Sequence, residues 1–168
     1  MQHASEHSNK TLFDFTVKSI DGKEVHLSEY KGKAKAFLIV NVASACGYTD
    51  GNYKELQAIY QELHPKGLEI FGFPCNQFGA QESKCELDIK KFAQEKFKVT
   101  FPLFTKVEVN GDNAIPLYKW LKHGAGNLAD IKWNFAKFIV DGHGHVKKYK
   151  LHSESPNTFK HELEELLK

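Results

Sequence analysis

Ala36-Phe-Leu-Ile-Val-Asn41-Val-Ala-Ser-Ala-Cys46-Gly-Tyr-Thr49 is the stretch that decides the fold. Ala36 to Val42 is an apolar run of the length and composition of a buried strand. It passes through small residues to a cysteine and Gly47. Beyond these, Tyr53, Leu56, Ile59, Tyr60 and Leu63 recur at helical spacing, which predicts a helix from about residue 52 to 63. His64-Pro65-Lys66-Gly67 stops it. Leu68 to Phe73 reads as a second buried strand, so strand, helix and strand form a βαβ unit with parallel strands and a right-handed crossover. Cys46 then lies at a strand-to-helix junction. Unpaired backbone N–H groups and the positive end of a helix dipole gather there, and both favour thiolate over thiol. Cys46 is the candidate nucleophile; the plainer alternative is a small buried residue.

Outward from this unit, residues 1–10 read as a mobile polar tail. Asp21-Gly22 places a turn between two short extended runs, a hairpin signal. Ser28 is placed to cap a short helical turn. Downstream, Pro74-Cys75-Asn76-Gln77-Phe78-Gly79-Ala80-Gln81 is a polar, glycine-containing loop at the carboxyl end of a parallel strand, where α/β proteins place their sites. Asn76 and Gln77 are expected to hold that loop. A helix follows over 87–97, then extended chain over 101–109. A helix over 113–122 carries Pro116 in its first turn. Strands over 135–140 and 146–149 flank Asp141-Gly-His-Gly144, and a helix over 156–167 ends the chain. This order predicts an α/β, thioredoxin-like fold, a central mixed β-sheet flanked by helices on both faces, with residues 11–168 forming one domain.

Composition narrows the chemistry. A formal charge of +2 over 168 residues is too small to suggest nucleic acid as a partner. All 23 basic residues are lysine, so no bidentate guanidinium clamp exists and any anion must be held by lysine or backbone amides. Three cysteines are an odd number and do not make a disulfide scaffold. The first ten residues lack the apolar core of a signal peptide, and no apolar run is long enough to span a bilayer. A reducing, cytoplasmic location is the expectation.

Cys46-Gly-Tyr-Thr49 has the first cysteine of a Cys-x-x-Cys dithiol motif and a threonine in place of the second. Such a cysteine cannot close a local disulfide. Its natural electrophile is a peroxide, whose O–O bond a thiolate cleaves to give sulfenic acid. Three blocks now matter together: Asn41-Val-Ala-Ser-Ala-Cys46-Gly-Tyr-Thr49, Phe73-Pro-Cys-Asn-Gln-Phe-Gly-Ala-Gln81-Glu82, and Ile131-Lys-Trp133-Asn134-Phe-Ala-Lys137-Phe. They resemble, in order, the signature blocks of the glutathione peroxidases, and the similarity runs from Phe13 to the last helix. The short connection over 124–130 resembles the small, monomeric phospholipid-hydroperoxide type. The resemblance implies a catalytic tetrad of Cys46, Gln81, Trp133 and Asn134. The three partners carry N–H groups able to donate toward a thiolate or a peroxide oxygen.

The same resemblance implies hydrogen peroxide and organic and phospholipid hydroperoxides as substrates, no bound cofactor, and glutathione as reducing co-substrate. In thioredoxin-dependent members of the family a resolving cysteine lies two residues after the phenylalanine that aligns with Phe92; here that residue is Gln94. Cys85 and Cys75 are the remaining candidates for a resolving thiol, with thioredoxin then the alternative reductant. Members of the glutathione-dependent kind commonly carry selenocysteine at the position of Cys46. Lys132 and Lys137, flanking Trp133, are candidate contacts for glutathione carboxylates or lipid phosphate, with transient membrane-surface contact as a corollary. A redox relay to a partner protein and an inactive member that kept the fold are the rival readings.

Overall fold

The computed structural model describes residues 9–168, so the expected tail over 1–10 falls almost wholly outside the described residues. A small antiparallel hairpin pairs β1 (Thr16–Lys18) with β2 (Glu24–His26) around Asp21-Gly22. The main sheet has the order β4-β3-β5-β6, with β3 (Ala36–Val42) at its centre beside β4 (Leu68–Pro74), β5 (Lys137–Asp141) and β6 (Val146–Lys150). β3 runs parallel to β4 and antiparallel to β5, which makes the sheet mixed. The helices are α1 (Thr49–Leu63), α2 (Glu86–Phe97), α3 (Pro116–Gly124) and α4 (Lys160–Leu166). This is a thioredoxin-like α/β arrangement.

Alternate residues of each central strand feed two separate cores, as a period of two requires. Leu38, Val40, Val42, Ile70 and Ile139 pack under α1 and α4 with Tyr53, Leu56, Ile59 and Leu163. Phe37, Ile39, Phe71, Phe73 and Phe138 face the other way and pack on α3 through Leu117, Tyr118 and Leu121. Both faces of the sheet are therefore covered, which is why β3 and β4 read as continuous apolar runs and not as alternating ones. Cys46 packs against the first core and Cys75 lies within the second.

Three boundaries depart from expectation for local reasons. α1 begins at Thr49, three residues early, because the Thr49 side chain is tied into the preceding turn (below). β5 begins at Lys137 and not at Phe135, since Phe135 has φ +67°, which no strand residue can adopt. The helical turn Leu27–Tyr30 is flanked by His26 at its start and has no side-chain cap; Ser28 sits inside it. The 101–109 segment adds to the sheet edge only through a bridge between Gly72 and Leu103, with Gly72 N–H donating to Pro102 O at 3.0 Å and Phe104 N–H donating to Gly72 O at 2.9 Å. A Cβ on Gly72 would come within 2.7 Å of Leu103 Cδ2, so this close approach requires glycine.

Candidate active site

Cys46 sits in the turn between β3 and α1, half-buried. Thr49 knots that turn. Its hydroxyl donates to Ala43 O at 2.8 Å and accepts Cys46 N–H at 3.0 Å, and its own N–H donates to Cys46 O at 3.1 Å. The sulfur of Cys46 accepts the Tyr48 N–H at 3.4 Å. Thus the threonine that replaces a second cysteine holds the backbone of the first. The sequence pattern marks Thr49 only as a missing thiol; its burial and these bonds exist only in the folded chain.

The second and third blocks meet beside this turn. Ala45 N–H donates to Gln81 O at 3.1 Å, which joins the Cys46 turn to the loop after β4. Asn134, fully buried, donates through Nδ2 to Gln81 Oε1 at 3.0 Å and to Phe78 O at 3.4 Å. Holding the oxygen in this way fixes the plane of the Gln81 amide, and among the described residues its Nε2 meets no protein acceptor. The Trp133 ring lies against Phe78 with centroids 6.0 Å apart, and its indole N–H is likewise without a protein acceptor among the described residues. Gly79 is wedged between them: at φ +66° a Cβ there would stand 3.0 Å from Trp133 Cη2.

The loop before β5 is pinned to β3. Phe135 N–H donates to Asn41 O at 2.7 Å, and Asn41 Nδ2 donates to Trp133 O at 3.1 Å. With Phe135 in the left-handed region, Trp133 and Asn134 leave the line of the strand and reach the Gln81 loop. The structure therefore brings Gln81, Trp133 and Asn134 together and ties them through the backbone to Cys46. It corrects one expected role. The Asn134 amide is committed to Gln81 and Phe78, so Asn134 orients Gln81 and does not itself donate toward the sulfur.

The outlying candidates divide. Lys137 is fully buried, and its ammonium donates to Glu154 O at 2.7 Å and His152 O at 3.5 Å. It faces the core, because in the β3–β5 register it lies opposite Val40, and burial lowers its pKa to about 8. The expectation that it contacts glutathione or lipid phosphate is wrong for that reason. Lys132 is exposed. Cys75 is fully buried in the second core, with its thiol pushed up to about 11 by burial. It lies across the sheet from Cys46, which argues against it as a resolving thiol. Cys85 is exposed at the N-cap of α2 and caps nothing with its side chain. All three cysteines are free. Gln77 accepts the N–H groups of Val109 and Asn110 and donates to Glu108 and Asn110, holding the loop as expected.

A family model described as glutathione peroxidase matches residues 12–122. The chain belongs to the glutathione peroxidase family. It is 51% identical over 162 residues to a "Probable phospholipid hydroperoxide glutathione peroxidase" from Citrus sinensis, covering 95% of this chain and 96% of that one. It is 48% identical to "Phospholipid hydroperoxide glutathione peroxidase 1, chloroplastic" from Arabidopsis thaliana, covering 95% of this chain and 68% of that one. Among solved structures, the apo form of the protein called Trgpx superposes with a TM-score of 0.76 at 39% identity, over 95% of this chain and 96% of that one. A thioredoxin-family thiol:disulfide interchange protein from Chlorobium tepidum shares the fold at a TM-score of 0.68 and 17% identity, over 92% and 93%. Among the described residues of this glutathione peroxidase, no helix is long and apolar enough to cross a membrane.

Proposed function

We propose that this glutathione peroxidase reduces hydrogen peroxide and organic and phospholipid hydroperoxides through Cys46, with glutathione as the reductant. The observation that carries the reading is the oriented amide of Gln81, fixed by buried Asn134 and joined to the Cys46 turn through Ala45. The Cys46 thiolate attacks the terminal oxygen of the hydroperoxide. The S–O bond forms as the O–O bond breaks, sulfur is oxidised to sulfenic acid, and the departing alkoxide takes up a proton to leave as alcohol. Gln81 Nε2–H and Trp133 Nε1–H are the donors available to that developing charge. One glutathione thiol then displaces water to give a mixed disulfide, and a second releases glutathione disulfide and restores Cys46. Exposed Lys132 is the remaining candidate for a glutathione carboxylate.

Cys85 supports a second reading, in which thioredoxin is the reductant. Its exposure at a helix start lets it reach oxidised Cys46 if the first turn of α2 unwinds. We read the chain as one catalytic domain, cytosolic and monomeric; the chloroplastic relative is the reason to check its location by fractionation. Coupled turnover assays with glutathione and with thioredoxin, each with its reductase, decide between the reductants. Cys46→Ser is expected to abolish turnover with both while leaving the circular dichroism spectrum unchanged. Turnover retained in that variant would refute the assignment of the nucleophile, and a Cys46–Cys85 disulfide in peroxide-treated protein would favour thioredoxin.

A further inference from the structure

Glu82 has no part in the chemistry above, yet it is a fully buried carboxyl beside Gln81. Its Oε1 accepts Ser44 N–H at 3.0 Å, and its backbone N–H donates to Asn76 Oδ1 at 3.0 Å. Together with the bond from Ala45 N–H to Gln81 O, residues 81 and 82 grip the two residues that precede Cys46. Glu82 Oε2 is buried with no hydrogen-bond partner among the described residues, and so is the Tyr53 hydroxyl. The titratable groups close enough to interact electrostatically with the carboxyl are Tyr53 from α1, Cys75 just past β4, Lys84 on its own loop and Lys106 from the 101–109 segment. A carboxylate in this position would leave one charged oxygen dry and unpaired, which is costly; a proton removes that cost. Burial pushes the group up to about 7, against the pull of Ser44, Lys106 and Lys84.

We infer that Glu82 is a positioning residue for Cys46 and works as the neutral acid, bracing the Ser44–Ala45 turn against the Gln81 loop. Ionisation draws water toward Oε2 and loosens this brace, and the attack of the thiol on peroxide slows. The inference rests on Cys46 being the peroxidatic residue.

Stopped-flow oxidation of the reduced full-length protein by hydrogen peroxide, followed by tryptophan fluorescence and intact mass from pH 5 to 9, tests it. The wild-type rate is expected to carry a falling limb toward alkaline pH. One pH unit above the Glu82 midpoint, that limb lowers the rate relative to Glu82→Gln about tenfold. In Glu82→Gln, which keeps an acceptor for Ser44 N–H but cannot ionise, the falling limb is expected to vanish. Glu82→Ala is expected to be slower than Glu82→Gln at every pH, with the melting temperature recorded for both. A falling limb that persists in Glu82→Gln, or is absent from wild type, overturns the inference, as does Glu82→Ala reacting as fast as wild type. Should Glu82→Ala not fold, the Glu82→Gln profile decides alone. If Cys46 is not oxidised at any pH, the peroxidase reading fails first and this inference with it.

Discussion

At the scale of single residues, the site depends on amides and carboxyls being held at fixed angles. Asn134→Ala removes the donor that orients Gln81 and leaves Phe78 O unpaired. It is expected to lower kcat/KM for hydroperoxide about 10- to 100-fold, or ~1.4–2.7 kcal/mol of transition-state stabilisation, as read by steady-state kinetics. Glu82 makes stability depend on pH with a definite sign. Its carboxyl rises from an ordinary 4.5 to about 7 on folding, so between those values the folded chain binds more protons than the unfolded one. Stability is therefore fully present below the lower value and is lost as pH climbs to the upper one, by on the order of 3 kcal/mol. Glu82→Gln is expected to lack that loss; urea denaturation of both proteins at acidic and neutral pH measures it. The three blocks that carry Cys46, Gln81, Trp133 and Asn134 were legible in the sequence, and the fold brings Gln81, Trp133 and Asn134 together beside the Cys46 turn. The bonds made by Thr49 and Glu82 were not legible, since neither type, taken alone, signals what its side chain will touch after folding.

At the scale of elements, helix and strand existence followed from apolar spacing, and the misplaced ends followed from side chains. Thr49 lengthens α1 and Phe135 delays β5, because a hydrogen-bonded knot and a left-handed φ are set by tertiary contacts that spacing does not encode. Lys137 points inward, although a lysine beside polar residues is ordinarily a surface cation. Here it fastens β5 to the 152–154 segment, whose His152 ring packs edge-on against Tyr48 at 5.5 Å, next to Cys46. Lys137→Ala leaves those carbonyls without their donor and opens a cavity. It is expected to cost about 3 kcal/mol in chemical denaturation. Cys85 occupies an N-cap that its side chain does not use. Cys85→Ser supplies an oxygen acceptor there and is expected to add about 0.5–1 kcal/mol of stability, measured the same way. Glutathione-dependent turnover is expected to survive that change; its loss would mean that Cys85 resolves the oxidised enzyme.

At the scale of the whole molecule, the sheet separates two cores and has its outer strands guarded. The β4 edge is covered by residues 101–104, and the β6 edge exposes Lys147 and Lys148, charges that discourage strand-to-strand association. The covered edge depends on Gly72. Gly72→Ala forces Leu103 and Phe101 aside and is expected to destabilise the fold by about 1–3 kcal/mol, visible as a lowered melting temperature. The sequence order of the elements carried the sandwich and its mixed sheet. It did not assign side chains to faces beyond alternation, which is why Cys46 and Cys75, both close to strand ends, looked like possible partners until the sheet was seen to stand between them. That separation governs how the molecule ages. With Cys46 as the proposed peroxidatic residue, excess peroxide is expected to drive it past sulfenic acid to irreversible oxidation, while the thiol among the aromatic side chains stays shielded. The buried side of that wall is thus spared, and a worn-out copy keeps its aromatic core intact.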